Sequence, residues 1–298
     1  MKQVLIIGSR TSGVKNNPRT IAESFGISEI VEPHLAYWED LVFHIATGSV
    51  DILVNEVSLF DIHYDVVIAT GWYKNGKKSY YRDVAYAAAL IMEQRGVRFW
   101  NSEMGQQRST TKLSTMVQLA LNNIPVPTTY FSIDFTNVEN SIPRPFVAKA
   151  IAASRGKSNF LVTNIETLAE ARAEGLPMLI QEYLENTHDL RVICFGGTPT
   201  LILRRARAEG AATHLNNTSQ GGSAEWIKAD QVDPGILTIS QKISTITKRE
   251  LAGIDFIPDV TSPIRYSCLE VNAIPQLTSG TDVNKKLTSF IKAIEALS

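Results

Sequence analysis

A lysine stands in the middle of an apolar, strand-like run, Pro145–Ile151. In the two-residue alternation of a β-strand, Lys149 shares one face with Val147 and Ile151. Burying a lysine is unfavourable unless an anion meets it, and the small, basic segment that follows, 152–158, is of the kind that folds over phosphates. The sequence therefore predicts a phosphate site here. The alternative is an edge-strand lysine that reaches solvent, followed by a hairpin turn.

Carboxylate and amide side chains mark a second strand-like run, Cys268–Asn272. Glu270 and Asn272 lie two residues apart, so strand geometry puts both oxygen-bearing groups on one face. Two such groups form half of a Mg²⁺ site, and Asp255, in the buried-looking run Ala252–Phe256, is the acid expected to complete it. The alternative for each acid taken singly is a strand-end carboxylate paired with a lysine.

Arginines gather near the ends of two further strand-like runs. Asp189 and Arg191 share one strand face, so they are expected either to pair or to address a ligand together. The later cluster of Arg204, Arg205 and Arg207 ends a neighbouring strand, and guanidinium groups suit a bidentate grip on phosphate or carboxylate. The alternative is a basic strand end in contact with water.

The elements that must position these residues form two units. In residues 1–100, the buried runs Val4–Ile7 and Asp65–Ala69 alternate with helical stretches, of which Asp83–Arg95 is the clearest. Strands that are apolar on both faces and alternate with helices indicate a parallel or mixed α/β layer. The Gly8–Gly13 turn lacks the G-x-G-x-x-G spacing of dinucleotide-binding proteins, which argues against a dehydrogenase.

Residues 101–298 are expected to form an α+β unit with antiparallel sheets from Phe146 onward. This unit opens with a helix whose apolar positions run from Leu113 to Ile124, capped by Ser109–Thr111 and stopped at Pro125–Pro127. Further helices are predicted over 163–175 and 235–251, with a closing helix around 283–294. Strands are predicted at Pro145–Ile151, Phe160–Val162, Met178–Tyr183, Leu190–Phe195, Thr200–Leu203, Ile254–Ile257 and Tyr266–Val271.

Composition and charge limit the class of protein. The chain has 298 residues, 44% of them hydrophobic, which is about two domains' worth of globular chain. Its 29 basic and 30 acidic side chains give a net charge of −1, whereas a nucleic-acid-binding protein normally carries a basic excess. No apolar run of transmembrane length and no signal peptide is found, and two cysteines in apolar strands indicate reduced thiols rather than disulfides. We therefore expect a soluble, cytoplasmic protein.

In their order along the chain, these motifs resemble the ATP-grasp domain, and among its members the RimK-like carboxylate–amine ligases. The resemblance rests on Lys112, the Lys149 strand and its loop, Gln181–Leu184, Asp189 with Arg191, Arg204–Arg205, Asn217–Gly222, Gly253–Asp255 and Leu269–Asn272. It spans residues 101–298, with a smaller nucleotide lobe over 101–184 and a larger catalytic lobe over 185–298. Residues 1–100 resemble the family's N-terminal pre-ATP-grasp domain only in their pattern of elements.

The resemblance implies a role for each matching residue. ATP binding is assigned to residues of both lobes: Lys112, Lys149, Ser154, Gly156, Gln181, Glu182, Tyr183, Leu184 and Asp189. Metal binding, with Mg²⁺ as the cofactor and Mn²⁺ as the alternative, is assigned to Asp255, Glu270 and Asn272. Stabilisation of the transferring phosphoryl group and the acyl phosphate is assigned to Arg205, Arg204, Asn217 and Arg191. Phosphoryl transfer requires positioning and charge neutralisation from the protein more than covalent help, and these side chains supply both.

The activity implied by the resemblance is ATP-dependent ligation, in which a carboxylate is phosphorylated and an amine then attacks the acyl phosphate, releasing ADP and phosphate. The expected substrates are small-molecule or peptide carboxylates and amines, with a protein or peptide tail as a further candidate acceptor. Neither nucleic acid nor a membrane is expected as a partner, and a homo-oligomer is expected. Two alternatives stay open: a non-catalytic ATP-binding sensor or scaffold, and a kinase-like phosphotransferase.

The chain departs from the family pattern in its loops. The phosphate loop keeps only Gly156 of the usual glycines, Gln220 replaces the usual arginine before the double glycine, and Gln276 follows Pro275 where glycine is usual. The last two differences predict a substrate unlike that of the best-known members. A loop at 72–82, with four aromatic and four basic residues, is the candidate region for reading the carboxylate substrate, and its alternative is an ordinary surface loop.

Overall fold

The computed structural model describes residues 1–11, 16–70, 78–102, 112–138, 140–151, 158–208, 210, 214–216, 222–273 and 275–297, without the side chains of 78–80. The first hundred residues contain β1 (Lys2–Gly8), α1 (Pro18–Ser24), β2 (Val31–Tyr37), β3 (Val42–Ala46), β4 (Ser49–Val54), β5 (Val57–Ser58), β6 (Val66–Ala69), α2 (Lys78–Gln94) and β7 (Phe99–Trp100). Next come α3 (Lys112–Leu121), β8 (Thr129–Ser132), β9 (Phe146–Ala150), β10 (Asn159–Val162), α4 (Ile165–Ala173) and β11 (Met178–Glu182). The chain continues through β12 (His188–Phe195), β13 (Thr198–Ala206), β14 (Ser223–Ile227), α5 (Pro234–Thr247), β15 (Ala252–Pro258), β16 (Tyr266–Ala273) and α6 (Val283–Glu295).

The N-terminal unit is built on a parallel sheet with the strand order β2-β1-β6-β7. Both faces of β1 are buried, because Val4 and Ile6 enter one hydrophobic core and Leu5 and Ile7 enter another. This arrangement is the predicted α/β layer. A separate antiparallel sheet, β3-β4-β5, was not predicted from the sequence, because its strands are short and β3 is largely exposed.

Two antiparallel sheets follow, as the sequence predicts for the rest of the chain. The first has the order β10-β9-β11-β8, and the second has the order β14-β13-β12-β15-β16. One face of each sheet packs on a helix: Phe146 and Ala148 of β9 share a core with Leu168 of α4, and Leu190 of β12 shares one with Ile243 of α5. On the opposite faces, Lys149 of β9 and Arg191 of β12 line a cavity between the sheets, whereas Phe195 of β12 packs in a core with α6.

The helices differ from prediction at their ends. α3 ends at Leu121, and its predicted apolar stripe is only partly buried, since Met116 lies in the core whereas Val117 and Leu121 are 49% and 78% exposed. α5 ends at Thr247 rather than at residue 251, because Lys248 adopts the left-handed conformation (φ 50°) that terminates a helix. Glycine is the usual residue in that conformation, so a lysine there gives no sequence signal.

The N-terminal unit shares a hydrophobic core with the rest of the chain. Phe290 of α6 makes edge-to-face contacts with Phe25 and Trp100 of that unit, at ring-centroid distances of 5.7 and 6.3 Å. The side chain of Asn101 makes two hydrogen bonds with the backbone of Leu251, each 2.9 Å long. Packing as well as chain connectivity therefore joins the two parts.

Cys194 and Cys268 are buried free thiols, as predicted. Burial raises the pKa of both, to about 12 for Cys194, so neither is a thiolate at neutral pH. In the described part of the chain, no helix is both long and apolar enough to cross a membrane.

Candidate active site

A cavity of about 640 Å³ lies between the two antiparallel sheets. Residues predicted for the site line it from both sheets, from the connection between them and from the start of α3: Lys112, Lys149, Gln181, Glu182, Tyr183, Leu184, Asp189, Arg191, Arg205, Asp255, Glu270 and Asn272. As strand alternation predicts, Val147 lines the cavity on the same face as Lys149. A volume of this order suits a ligand of nucleotide size.

Arg204 is the predicted residue that the structure places away from the cavity. It lies on the opposite face of β13, where its guanidinium is 3.7 Å from the carboxylate of Glu225 and both side chains are exposed. Strand alternation is the reason, because Arg204 and Arg205 are adjacent and cannot share a face.

Some predicted residues lie outside the described part of the chain: Ser154, Gly156, Asn217 and Gln220. The same holds for residues 72–77 of the candidate substrate loop. Residues 78–82 of that loop are helical, as the start of α2. The structure therefore corrects the loop conformation of 78–82, and the role of 72–82 in reading the substrate stays a prediction.

Two aspartates and two arginines form a continuous buried array on one wall of the cavity. Asp255 accepts two hydrogen bonds from Arg191, from Nε to Oδ1 and from Nη2 to Oδ2, both 2.7 Å long. Arg205 lies between two carboxylates, with Nε 2.6 Å from Asp189 Oδ1 and Nη2 3.2 Å from Asp255 Oδ2. Asp189 and Arg191 thus pair with residues of neighbouring strands rather than with each other.

This array keeps Asp255 ionised. Burial opposes the charged carboxylate, but the charges and hydrogen bonds of Arg191 and Arg205 outweigh burial and hold the pKa of Asp255 below its usual range. For Arg205, burial is likewise outweighed by Asp255 and Asp189, which raise the pKa of the guanidinium. Equal numbers of positive and negative groups, each hydrogen-bonded, make the burial of all four tolerable.

Lys112, at the start of α3, and Lys149, on β9, are both close to the charge of Glu270. Burial lowers the pKa of Lys149 to about 8, and the charge of Glu270 opposes this while that of Lys112 adds to it. Burial also lowers the pKa of Lys112, again opposed by Glu270, and Lys112 Nζ donates to Ala150 O at 3.2 Å. Two buried lysines whose charges act on each other favour an anionic ligand nearby.

The connection from β11 to β12 joins the two sheets. Gln181 is buried and donates from Nε2 to Thr129 Oγ1 at 3.0 Å, which fixes its amide within the first sheet. Leu184 O accepts from Asn186 Nδ2 at 2.8 Å, and Asn186 Oδ1 accepts from Asn216 Nδ2 at 2.8 Å. The path of the chain is therefore fixed by hydrogen bonds where the resemblance implies an adenine ring.

Oxygen atoms suited to a divalent cation stand on β15 and β16. Asp255 pairs with Glu270 across these strands, and Asn272 also lines the cavity. Asn272 donates from Nδ2 to Gly253 O at 3.4 Å, which leaves its Oδ1 for a ligand. Among the described residues, no group of three His, Cys, Asp or Glu side chains could hold a metal by itself. Oxygen donors of this kind are the ones that Mg²⁺ takes in proteins, usually together with oxygens of a bound phosphate, and at Asp255 both oxygens also accept from Arg191.

Two titratable residues that line the cavity were not selected from the sequence. His214, after β13, donates from Nε2 to Asn159 Oδ1 of β10 at 3.0 Å. Lys286 of α6 is only 4% exposed. A signal for Lys286 was available, since it falls at helical spacing from Val283 and Phe290 on a face that is otherwise apolar. His214 lies in no regular element, so no periodicity marks it.

The profile of one protein family, described as the RimK-like ATP-grasp domain, matches residues 109–293. The chain belongs to this family. The match includes every strand that lines the cavity and most of α6, and residues 1–100 lie before it. The RimK-like ATP-grasp family is the one that the ordered sequence motifs predicted.

Curated relatives resemble this RimK-like protein over most of its length. A probable alpha-L-glutamate ligase from Trichodesmium erythraeum (strain IMS101) is 27% identical over 225 residues, which cover 70% of this chain and 72% of that one. A probable alpha-L-glutamate ligase from Aeromonas salmonicida (strain A449) is 27% identical over 208 residues, which cover 64% and 67% of the two chains.

Solved structures share the fold across almost the whole chain. The ATP-grasp ligase PsnB, in complex with a phosphomimetic variant of a minimal precursor, Mg and ADP, has a TM-score of 0.72 at 14% identity, covering 99% of this chain and 98% of that one. The macrocyclase MdnC from Microcystis aeruginosa MRC, bound to the precursor peptide MdnA, has a TM-score of 0.68 at 11% identity, covering 99% and 100%. With the family match, this likeness confirms the predicted ATP-grasp fold and the prediction of an ATP-dependent carboxylate–amine ligase. The non-catalytic and kinase-like alternatives are not favoured.

Proposed function

We propose that this RimK-like ligase binds ATP and Mg²⁺ in the cavity, phosphorylates the carboxylate of glutamate or of an acidic residue in a peptide, and joins it to an amine. The observation that carries the proposal is one cavity lined by two lysines, the oxygen donors of β15 and β16, and a buried arginine pair. The Mg and ADP bound by PsnB support the cofactors. The names of the glutamate ligases and the precursor peptides of PsnB and MdnC support the substrate class.

In this proposal the lysines hold the phosphates. Burial lowers the pKa of Lys112 and of Lys149, and the negative charge of a bound triphosphate would favour the ammonium form of both side chains. The segment Gln181–Leu184 lies along the adenine. Asp255, Glu270 and Asn272 would hold Mg²⁺, which would supply charge neutralisation to the phosphates.

Arg191 and Arg205 are the proposed stabilisers of the acyl phosphate. Each guanidinium is already held by a carboxylate, from Asp255 or Asp189, so little reorganisation is needed when negative charge develops. Asp189 acts in this proposal as a positioning residue for Arg205. Arg204, on the opposite face of β13, has no part in it.

Product analysis tests the function. The whole protein is incubated with ATP, Mg²⁺ and pairs of L-glutamate or acidic peptides with amines, and ADP release and product mass are followed together. We expect ADP to form with an amide product whose mass equals the two substrates less water. A phosphorylated product without an amide, or ATP binding without ADP release, would contradict the proposal.

The variant Glu270→Gln tests whether Glu270 acts in the proposed metal site rather than in maintaining the fold. The variant is expected to form ADP at least about a hundredfold more slowly, because the proposed Mg²⁺ site loses a carboxylate ligand and the phosphates then lose the charge of the metal. Glu225→Gln is the matched control, since Glu225 is an exposed carboxylate on β14, and it should turn over like the wild type. Wild-type turnover by Glu270→Gln at saturating Mg²⁺ would count against the site, and circular dichroism of both variants checks the fold.

A further inference from the structure

Lys286 is a cation on the apolar face of α6 that the roles above do not use. It is 4% exposed and belongs to the buried face that also contains Phe290, Ile291 and Ile294. Its side chain lines the cavity. An ammonium in such a place needs hydrogen-bond acceptors or an anion to offset the loss of hydration.

The acceptors that the protein supplies to Lys286 are neutral. Nζ donates to the carbonyl oxygens of Gln276 and, at 2.5 Å, of Ser279. Burial lowers the pKa of Lys286 to about 8, the charge of Arg191 lowers it further, and that of Asp282 opposes this. No hydrogen-bond partner of Lys286 in the described part of the chain is a carboxylate. One of the three N–H donors of the ammonium is therefore left for a ligand.

Ser279 places a second donor in the same part of the cavity. Its Oγ is buried and has no hydrogen-bond partner among the described atoms, although Ser279 lines the cavity with Lys286. The loop that carries it is fixed from the N-terminal unit, because Leu277 N donates to Asn16 Oδ1 at 3.0 Å. A buried hydroxyl without a partner is rare in native proteins, and a bound acceptor would satisfy it.

We propose that Lys286 and Ser279 form a carboxylate-binding subsite and that Lys286 determines specificity for a substrate with a free carboxylate. The proposal rests on the proposed ligase function and names the group that the substrate presents at this end of the cavity. A carboxylate accepts from both donors and compensates the single charge of Lys286. A carboxamide would leave that charge uncompensated in a buried place. The phosphates of ATP are assigned to other lysines, Lys112 and Lys149.

The test measures binding rather than turnover. Calorimetry compares L-glutamate with its two amides, L-glutamine and L-isoglutamine, on the whole protein, with and without the ATP analogue AMPPNP and Mg²⁺. We expect the wild type to bind glutamate at least about tenfold more tightly than one of the amides, the size of a charge-assisted hydrogen bond. Lys286→Met should bring that ratio close to one, and Lys286→Arg should restore part of it. AMPPNP affinity should stay unchanged in all variants.

Two further variants distinguish recognition of the carboxylate from a role of Lys286 in holding the loop that carries Ser279. Ser279→Ala leaves both carbonyl acceptors of Lys286 in place, so weaker glutamate binding in this variant reports the loss of a donor to the ligand. Lys285→Met is the matched control, because Lys285 lies over the Trp226 ring, 5.1 Å from its centroid, and lines a different groove.

The proposal fails if the wild type does not discriminate against either amide, if discrimination survives Lys286→Met, or if Ser279→Ala binds glutamate like the wild type. Failure of the proposed function is a separate result, namely no AMPPNP binding or no ADP release. The glutamate titrations without nucleotide are unaffected by that result.

Discussion

His214 is a cavity residue whose protonation is expected to make the stability of the protein depend on pH. Burial, together with the charges of Arg207 and Lys149, lowers the pKa of its imidazole to about 4 from an ordinary 6.5. The neutral ring joins the segment after β13 to β10 through its hydrogen bond with Asn159. A proton added to the ring would place a third positive charge near these two cations, so protonation opposes the folded arrangement.

We expect acid to lower the free energy of unfolding through His214. Between the ordinary pKa of 6.5 and the folded value of about 4, His214 binds a proton in the unfolded chain but not in the folded protein. The contribution of the neutral ring to the free energy of unfolding is therefore complete above pH 6.5 and is lost as the pH falls towards 4. The expected loss is about 1–2 kcal/mol, less than the full linkage value because the ring is partly exposed. Urea unfolding near neutral pH and near the folded pKa measures it.

The matching variant is His214→Gln, which should lose correspondingly less stability in acid than the wild type. His63→Gln removes an exposed imidazole and is the control. Equal acid losses in His214→Gln and the wild type would contradict the assignment.

Strand alternation explains which site residues could be predicted from the sequence. Glu270 and Asn272 line the cavity together because a two-residue spacing puts them on one face. The same rule allows only one of the adjacent residues Arg204 and Arg205 to face the cavity. The family pattern, which contains both arginines, does not indicate this. The ion pair between Arg191 and Asp255 joins residues 64 positions apart, so it depends on sheet order and register that no local pattern specifies.

At the scale of elements, Gly8 ends β1 where three segments approach closely. A Cβ at this position would lie 2.4 Å from Thr70 O and 3.1 Å from the Pro18 ring. The Thr70 carbonyl cannot retreat easily, because the Thr70 N–H donates to Ile7 O at 2.8 Å and so ties its backbone to β1. The need for glycine here comes from lack of space rather than from a left-handed backbone.

Gly8→Ala should lower the free energy of unfolding by about 1–3 kcal/mol, the usual effect of forcing an atom into a packed site. Gly26→Ala is the matched control, since nothing lies within 4 Å of a Cβ at that position. The control should change stability by less than about 1 kcal/mol. Denaturant unfolding of both variants measures the difference, and equal effects would argue against the close approach.

Element boundaries were predicted less well than element types. The core strands β1, β6, β9, β12, β15 and β16 follow from buried apolar runs. The end of α5 depends on the left-handed backbone of Lys248, and the β3-β4-β5 sheet has little buried surface to impose a pattern. Local propensity is a weak signal wherever tertiary contacts decide the conformation.

At the scale of the whole molecule, Phe290 joins the N-terminal unit to the family domain. Its fully buried ring makes edge-to-face contacts with Phe25 and Trp100 and also with Phe195 of β12, the last at 5.4 Å. The core around it takes residues from both sides of the predicted boundary at residue 100. Residues 1–100 therefore contribute packing to the domain that the family profile describes.

Phe290→Ala should lower the free energy of unfolding by about 3–5 kcal/mol, as expected for a large aromatic removed from a core. Because the core is shared, amides of β1 and of β12 should lose protection from hydrogen exchange together. Ile133→Ala, at an 81% exposed position, is the control and should leave protection unchanged. Loss of protection in β1 with full protection retained in β12 would mean that the two parts unfold separately.

The same junction sets an order of events during synthesis on the ribosome. The Ser28 hydroxyl donates to Glu295 Oε1 at 2.6 Å, across 267 positions of chain, and one face of β1 packs in the core that α6 completes. At about 5–20 residues per second, α6 emerges roughly 15–50 s after the segment it covers. Throughout that interval the face of β1 that carries Val4 and Ile6 lacks the part of its core that α6 supplies, and partly exposed apolar surface of this kind is what chaperones bind.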